Sequence, residues 1–139
     1  MATRATASFD VTGWEPTPYD EGVDGPQLSR VKVRKTFRGD LVGESTAELL
    51  MCVNDPKDLA AGAGYVVSER VTGSLAGRQG SFVLQHWGVS GGGKPPTASG
   101  HVVPGSGTGQ LAGLVGSISQ DGEKKHTLVL DYDFVPAAR

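Results

Sequence analysis

Along most of the chain, apolar and polar side chains alternate with a period of two, the pattern of strands that bury one face and wet the other. Eight such segments stand out, at about 5–14, 28–39, 41–53, 63–74, 78–90, 97–103, 114–120 and 125–135. In the second, Val31, Val33 and Phe37 oppose Arg30, Lys32, Arg34 and Arg38; in the last, Leu128, Leu130, Tyr132 and Phe134 oppose Asp131 and Asp133. Between them lie Gly39 with Asp40, Gly77, the run GGGKPP at 91–96 and QDGE at 120–123, all residues that suit tight turns. Hairpins between successive strands make the sheet antiparallel. Only 56–63 and 109–114 have room for even a short helical turn. The stretch 15–27 carries three prolines and four acids and reads as a surface loop or a lid over one end of the sheet.

Eight antiparallel strands with one dry face must hide that face and protect two edges, and closing the sheet on itself does both. The pattern therefore predicts an all-β chain, a single domain over 1–139 folded as an eight-stranded antiparallel β-barrel. A barrel of about this size either fills its interior with side chains or holds one small ligand there. The functional question is which of the two applies.

Composition narrows the classes. A chain of 139 residues, 37% hydrophobic and 20% charged, suits one globular domain, and 21 glycines suit short strands and tight turns. Thirteen Lys and Arg against fifteen Asp and Glu give a formal net charge of -2, which offers nothing to a polyphosphate, so nucleic acid is not expected as a partner. No stretch approaches the roughly 20 consecutive apolar residues of a membrane helix. The first residues lack the apolar core of an export signal, so a cytoplasmic location and no membrane partner are expected. Cys52 is the single cysteine, and His86, His101 and His126 lie on three segments without ligand spacing; neither a metal nor a cofactor is expected.

Three motif matches fail on context. GTGQLA at 107–112 fits the dinucleotide pattern G-x-G-x-x-A, with Asp131 about where a ribose partner would stand, but Gly113 and Gly116 interrupt the helix that the fingerprint requires. GVSGG at 88–92 spells the hydrolase elbow, yet the glycines and prolines after it cannot begin a helix. In SRVK at 29–32 the Ser and Lys point to opposite faces of a strand.

The residue with most chemical content is Glu69, which shares a face with Tyr65, Val67 and Val71. Inside a barrel, burial would raise its carboxyl pKa unless a cation or donor compensates, and such a group serves as an acid or base near neutral pH. At the rim it would instead pair with a cation such as Arg34 or Arg70. His86 ends the apolar stripe of Phe82 and Leu84, a place for a titrating imidazole or for a structural hydrogen bond. Phe82, Leu84, Tyr132, Phe134, Met51 and the small Ser45 share the dry faces of their strands and either line a pocket or fill it.

The run VPGSGTGQLAGLVG at 103–116 resembles the glycine-rich signature of allene oxide cyclases and plant dirigent proteins. PYDEG at 18–22, ERVTG at 69–73 and GSFVLQH at 80–86, taken with that run, resemble a bacterial family of small proteins of unknown function assigned to the same barrel superfamily. The resemblance spans about 8–134 and implies an eight-stranded barrel with a mouth at one end, homo-oligomers, and small-molecule chemistry without a cofactor. The expectation that follows is redox-neutral isomerisation or cyclisation of a compact apolar small molecule in the lumen. Glu69 would polarise or deprotonate it, His86 and Tyr65 would donate hydrogen bonds, and Ser45, Met51, Phe82, Leu84, Tyr132 and Phe134 would bind it. The alternatives are a carrier with the same pocket and no chemistry, or a structural homo-oligomer with a packed lumen. A void below about 300 Å³ would favour the packed version.

Overall fold

A strand with one apolar face needs a partner for that face, and here the alternating segments find it in one another. The structure, a computed structural model, describes residues 2–20, 24–120 and 126–136. Within them the strands are β1 (Thr3–Tyr19), β2 (Gln27–Gly39), β3 (Leu41–Val53), β4 (Ala63–Leu75), β5 (Arg78–Gly91), β6 (Lys94–Val102), β7 (Leu114–Gln120) and β8 (Thr127–Phe134). Each pairs antiparallel with the next, and β8 pairs back onto β1, so the eight strands close into a barrel in chain order. The expected all-β architecture is thus the observed one. Outside the strands the described residues hold two 3-10 turns, Leu59–Ala61 and Gly109–Leu111. No helix among them is long and apolar enough to cross a membrane.

Turns at Gly39 and Gly77 mark the lower end, and those at Gly92 and Gly93 the upper end; all four glycines have positive φ. The turn expected at 120–123 lies, beyond Gln120, outside the described residues.

One expectation is overturned. Most of 15–27 is not a loop, because β1 continues to Tyr19, with Trp14 opposite Val33, Pro16 opposite Val31 and Tyr19 opposite Leu28. A bulge between Val11 and Gly13 rephases the strand, so that even-numbered residues thereafter take the face that odd-numbered ones held before. Proline is tolerated because β1 pairs with β8 only from Thr3 to Ser8. Beyond that it is an edge strand, where a missing N–H leaves no ladder bond unmade on the open side. Residues 21–23 of that stretch lie outside the described residues.

The glycine-rich run does structural work. β6 reaches only as far as Val102, opposite Leu84, which leaves the start of β5 without a strand on that side. The loop supplies the missing partners: Thr108 N–H donates to the Ser81 carbonyl at 2.8 Å, and Ser81 N–H and Val83 N–H donate to Thr108 Oγ1 and Ser106 Oγ at 3.0 Å each. Contact is close enough that a Cβ on Gly80 would stand 2.0 Å from the Thr108 carbonyl oxygen. That closure places Leu111 and Leu114, both fully buried, under the lower end.

Two apolar clusters fill the barrel. The larger includes Phe37, Leu41, Val71, Leu75, Phe82, Leu84 and Leu130 and occupies the lower end. Val31, Val33, Ala47 and Val67, with Leu49, Met51 and Tyr65 packed against them, form the other toward the top. A charged layer lies between the two.

Candidate functional site

Four consecutive strands each send one polar side chain inward to that layer. In register, Lys35 of β2 faces Ser45 of β3, while Glu69 of β4 stands between Ala47 and Leu84 and His86 of β5 faces Val67. Glu69 is 1% exposed. Its Oε1 accepts hydrogen bonds from Lys35 Nζ at 3.2 Å and from His86 Nε2 at 2.8 Å, and its Oε2 accepts one from Ser45 Oγ at 2.5 Å. The rim position paired with Arg34 or Arg70 is therefore excluded: both arginines lie on the opposite alternation, and the cation is Lys35.

Burial pushes the Glu69 carboxyl upward, but the His86 hydrogen bond, the Lys35 charge and the Ser45 hydroxyl outweigh it and hold the pKa at about 2. The sequence left open whether compensation would occur. It does, and Glu69 is an ionised carboxylate across the whole neutral range. A group with so low a pKa is a poor proton acceptor, so its chemistry is electrostatic.

Tyr65, two residues before Val67, meets the His86 ring edge-on at 6.1 Å between centroids. Burial, with the Glu69 charge adding to it, raises the Tyr65 pKa and keeps the phenol a hydrogen-bond donor. Glycine makes room for both rings. A Cβ on Gly88 would stand 2.5 Å from the Tyr65 ring, and one on Gly100 of β6 would stand 2.3 Å from the His86 Cβ. Lys35 Nζ also sits 4.5 Å from the centroid of Phe9, whose ring stacks on His126 at 5.2 Å.

Lys35, Glu69 and His86 form one wall of an interior cavity of about 30 Å³, faced by Phe9, Tyr65 and Leu84. That volume is about one water molecule's share of the liquid, far below the roughly 300 Å³ of ordinary ligand pockets. Among the described residues no buried side-chain nitrogen or oxygen lacks a hydrogen-bond partner.

The residues singled out from sequence divide. Glu69, His86, Ser45 and Tyr65 come together, Leu84 joins them at the cavity wall, and Met51 packs with Tyr65 in the upper cluster. Phe82 and Tyr132 are buried in the lower cluster and Phe134 packs against it, its ring beneath the Arg78 guanidinium. These three share a face with the site but not its height along the barrel. Ser45, expected among the ligand-binding residues, is a donor to Glu69. Lys35 and Phe9 were not foreseen, although Lys35 follows Val31 and Val33 on the dry alternation of β2, which marks it as an inward lysine. No group of three or more His, Cys, Asp or Glu among the described residues is gathered as a metal site.

The chain is matched over residues 5–134 by the model of a family described as "Protein of unknown function (DUF3224)", and it belongs to that family. It is similar to a solved structure, that of a protein with unknown function from the DUF3224 family of Shewanella oneidensis MR-1, with 40% identity and a TM-score of 0.83. The similarity covers 99% of this chain and 100% of that one. No curated protein matches the chain.

Proposed function

We propose that this DUF3224 protein binds a small carbonyl-type molecule at the charged layer and moves a proton on it without a cofactor, as in a redox-neutral isomerisation. One observation carries the reading: a buried, ionised carboxylate is shared by an imidazole and an ammonium group at the wall of an internal cavity. A neutral His86 that donates from Nε2 to Glu69 keeps its lone pair on Nδ1, and the adjacent carboxylate stabilises the imidazolium formed when that lone pair takes a proton. In the proposed step the imidazole removes a proton next to the ligand's carbonyl group. The electron pair moves onto the carbonyl oxygen, and the Lys35 ammonium, with the Tyr65 phenol, stabilises the charge that develops there. Where the ligand carries a carbon–carbon double bond conjugated with the enolate so formed, return of the proton at the far end of that bond, with the double bond moving one place, completes the isomerisation. Roles therefore shift from the sequence expectation: His86 carries the proton and Glu69 orients and charges it.

The cavity volume limits the ligand. A space of about 30 Å³ takes about one water-sized group, so the carbonyl oxygen alone would enter it and the rest of the molecule would lie toward Phe9 and Tyr65, not enclosed in the lumen. The resemblance of the run at 103–116 to the glycine-rich signature of allene oxide cyclases supports the reading only as an analogy. A second reading, a purely structural network in a packed lumen, is favoured by the same volume and by the full satisfaction of the buried polar atoms.

Solvent-deuterium incorporation separates the two. In heavy water with a panel of small cyclic and open-chain ketones, the wild type is expected to label at least one ketone next to its carbonyl faster than buffer, and His86→Gln to lose that rate. Labelling no faster than buffer across the panel, or undiminished in His86→Gln, contradicts the proposal and leaves the structural reading.

A further inference from the structure

The cavity at the charged layer is walled unevenly. Of the residues that line it, Phe37, Glu69 and Leu84 are buried, whereas Ser99 of β6 and Ser119 of β7 are exposed. The two serines stand opposite each other at the last described pair of the β6–β7 ladder, so the cavity reaches the outside of the barrel where that ladder stops. Of the half-buried residues in the lining, Phe9 alone is both large and wholly apolar.

Register explains why that ring is there. β1 pairs with β8 only as far as Ser8, and the Phe9 N–H makes one further bond, to the His126 carbonyl at 2.9 Å. On its other side Phe9 stands opposite Phe37 of β2, and the bulge between Val11 and Gly13 turns the alternation of the strand over soon afterwards. At Phe9 the backbone is thus still held from both sides, just before the open edge begins. The ring is held as well. It stacks on the His126 ring at 5.2 Å, tilts against Phe37 at 5.6 Å and carries Lys35 Nζ 4.5 Å from its centroid. A carbonyl oxygen that reaches the Lys35 ammonium brings both of its carbon substituents along, and a substituent on the Phe9 side meets a fixed ring.

From these contacts we infer that Phe9 is the specificity-determining residue of the site: its ring admits a carbonyl group flanked by unbranched carbons and excludes one flanked by branched carbons. The inference rests on the carbonyl chemistry proposed above and adds the substrate class to it. Phe9 has no polar atom in its side chain and makes none of the hydrogen bonds to Glu69, so its removal changes the space at the site and leaves those bonds in place. Truncation to alanine opens a space on the order of 100 Å³, comparable to engineered apolar cavities that take up benzene.

Acetone and diisopropyl ketone, the second branched on both sides of its carbonyl, are the probes, applied to the full chain as wild type, Phe9→Ala and Phe9→Leu. Binding is read from the His86 ring signals by NMR and turnover from deuterium uptake next to the carbonyl. In the wild type acetone is expected to shift the His86 signals and diisopropyl ketone to leave them in place; in Phe9→Ala both should shift them. The ratio of labelling rates, acetone over diisopropyl ketone, should fall about tenfold or more in Phe9→Ala, the discrimination that a small steric difference in an apolar pocket supplies. That ratio does not depend on how much of a variant is folded, since both ketones meet the same folded molecules. Phe9→Leu, which keeps an apolar side chain in place, should fall between the two and decides the matter if Phe9→Ala does not fold. The expected shifts without labelling above buffer would support Phe9 as the limit on what binds while refuting the proton transfer. Diisopropyl ketone shifting the wild-type signals as it does those of the variants, equal discrimination in all three proteins, or no shift with either ketone in any of them overturns the inference.

Discussion

The lower end of the barrel and its middle layer are built by the same alternation and reach opposite physical solutions. Below, Leu41, Leu75, Phe82, Leu111 and Leu114 exclude water by apolar packing alone. In the middle, the same inward positions hold Lys35, Ser45, Glu69 and His86, with Glu69 as buried as Leu41 and Leu75 below it. The lower end gains stability from transfer of apolar area and tolerates exchange among similar volumes. The middle layer depends on every partner being present, because a buried carboxylate is tolerated only while cations and donors surround it. Packing is thus distributed, whereas the charged layer stands or falls as a unit.

That contrast breaks most visibly at Phe82. Phe82→Ala removes a fully buried ring and should lower the unfolding free energy by about 3–5 kcal/mol, measured by denaturant unfolding, with no change in how stability depends on pH.

The second effect is smaller and has the opposite signature. The Glu69 pKa is depressed from the ordinary 4.5 to about 2, so its stabilisation is fully present above about pH 4.5 and is lost as pH falls toward 2. The shift corresponds to about 3 kcal/mol. Denaturant unfolding of wild type and Glu69→Gln should therefore differ by about that amount at neutral pH and converge near pH 2. A gap that stayed constant down to pH 2 would show that ionisation of Glu69 contributes nothing.

The smallest effect is expected outside the wall. Arg4 and Asp131 form an ion pair at 2.8 Å, but with Arg4 mostly exposed it is a surface pair of the kind that contributes little. Asp131→Asn should leave the unfolding midpoint unchanged, which sharpens the claim that position, and not the mere presence of opposite charges, distinguishes the middle layer.

The fold was legible because period-two alternation and turn residues are local signals, and both are dense here. What the alternation reports is the face of a side chain, not its height. Phe82, Tyr132 and Phe134 share the inward face with Glu69 yet belong to the lower end, because strand stagger fixes height and no local pattern encodes it. Pro16 and Pro18 read as loop because the edge position that excuses them exists only once β1 has paired with β2 and outrun β8. Glu69 itself was visible as an acid on a dry face. Its partners come from β2, β3 and β5, and their convergence is a property of register. Lys35 was within reach, since a lysine in step with Val31 and Val33 is the cation that an inward acid requires.

The account's central claim is that Glu69 is a buried carboxylate held ionised by Lys35, Ser45 and His86. Following the Glu69 side-chain carboxyl by carbon NMR through an acid titration tests it directly. A midpoint near pH 2 is the result predicted. A midpoint at or above the ordinary 4.5 would mean that burial prevails over its partners, and the charged layer as described would not exist.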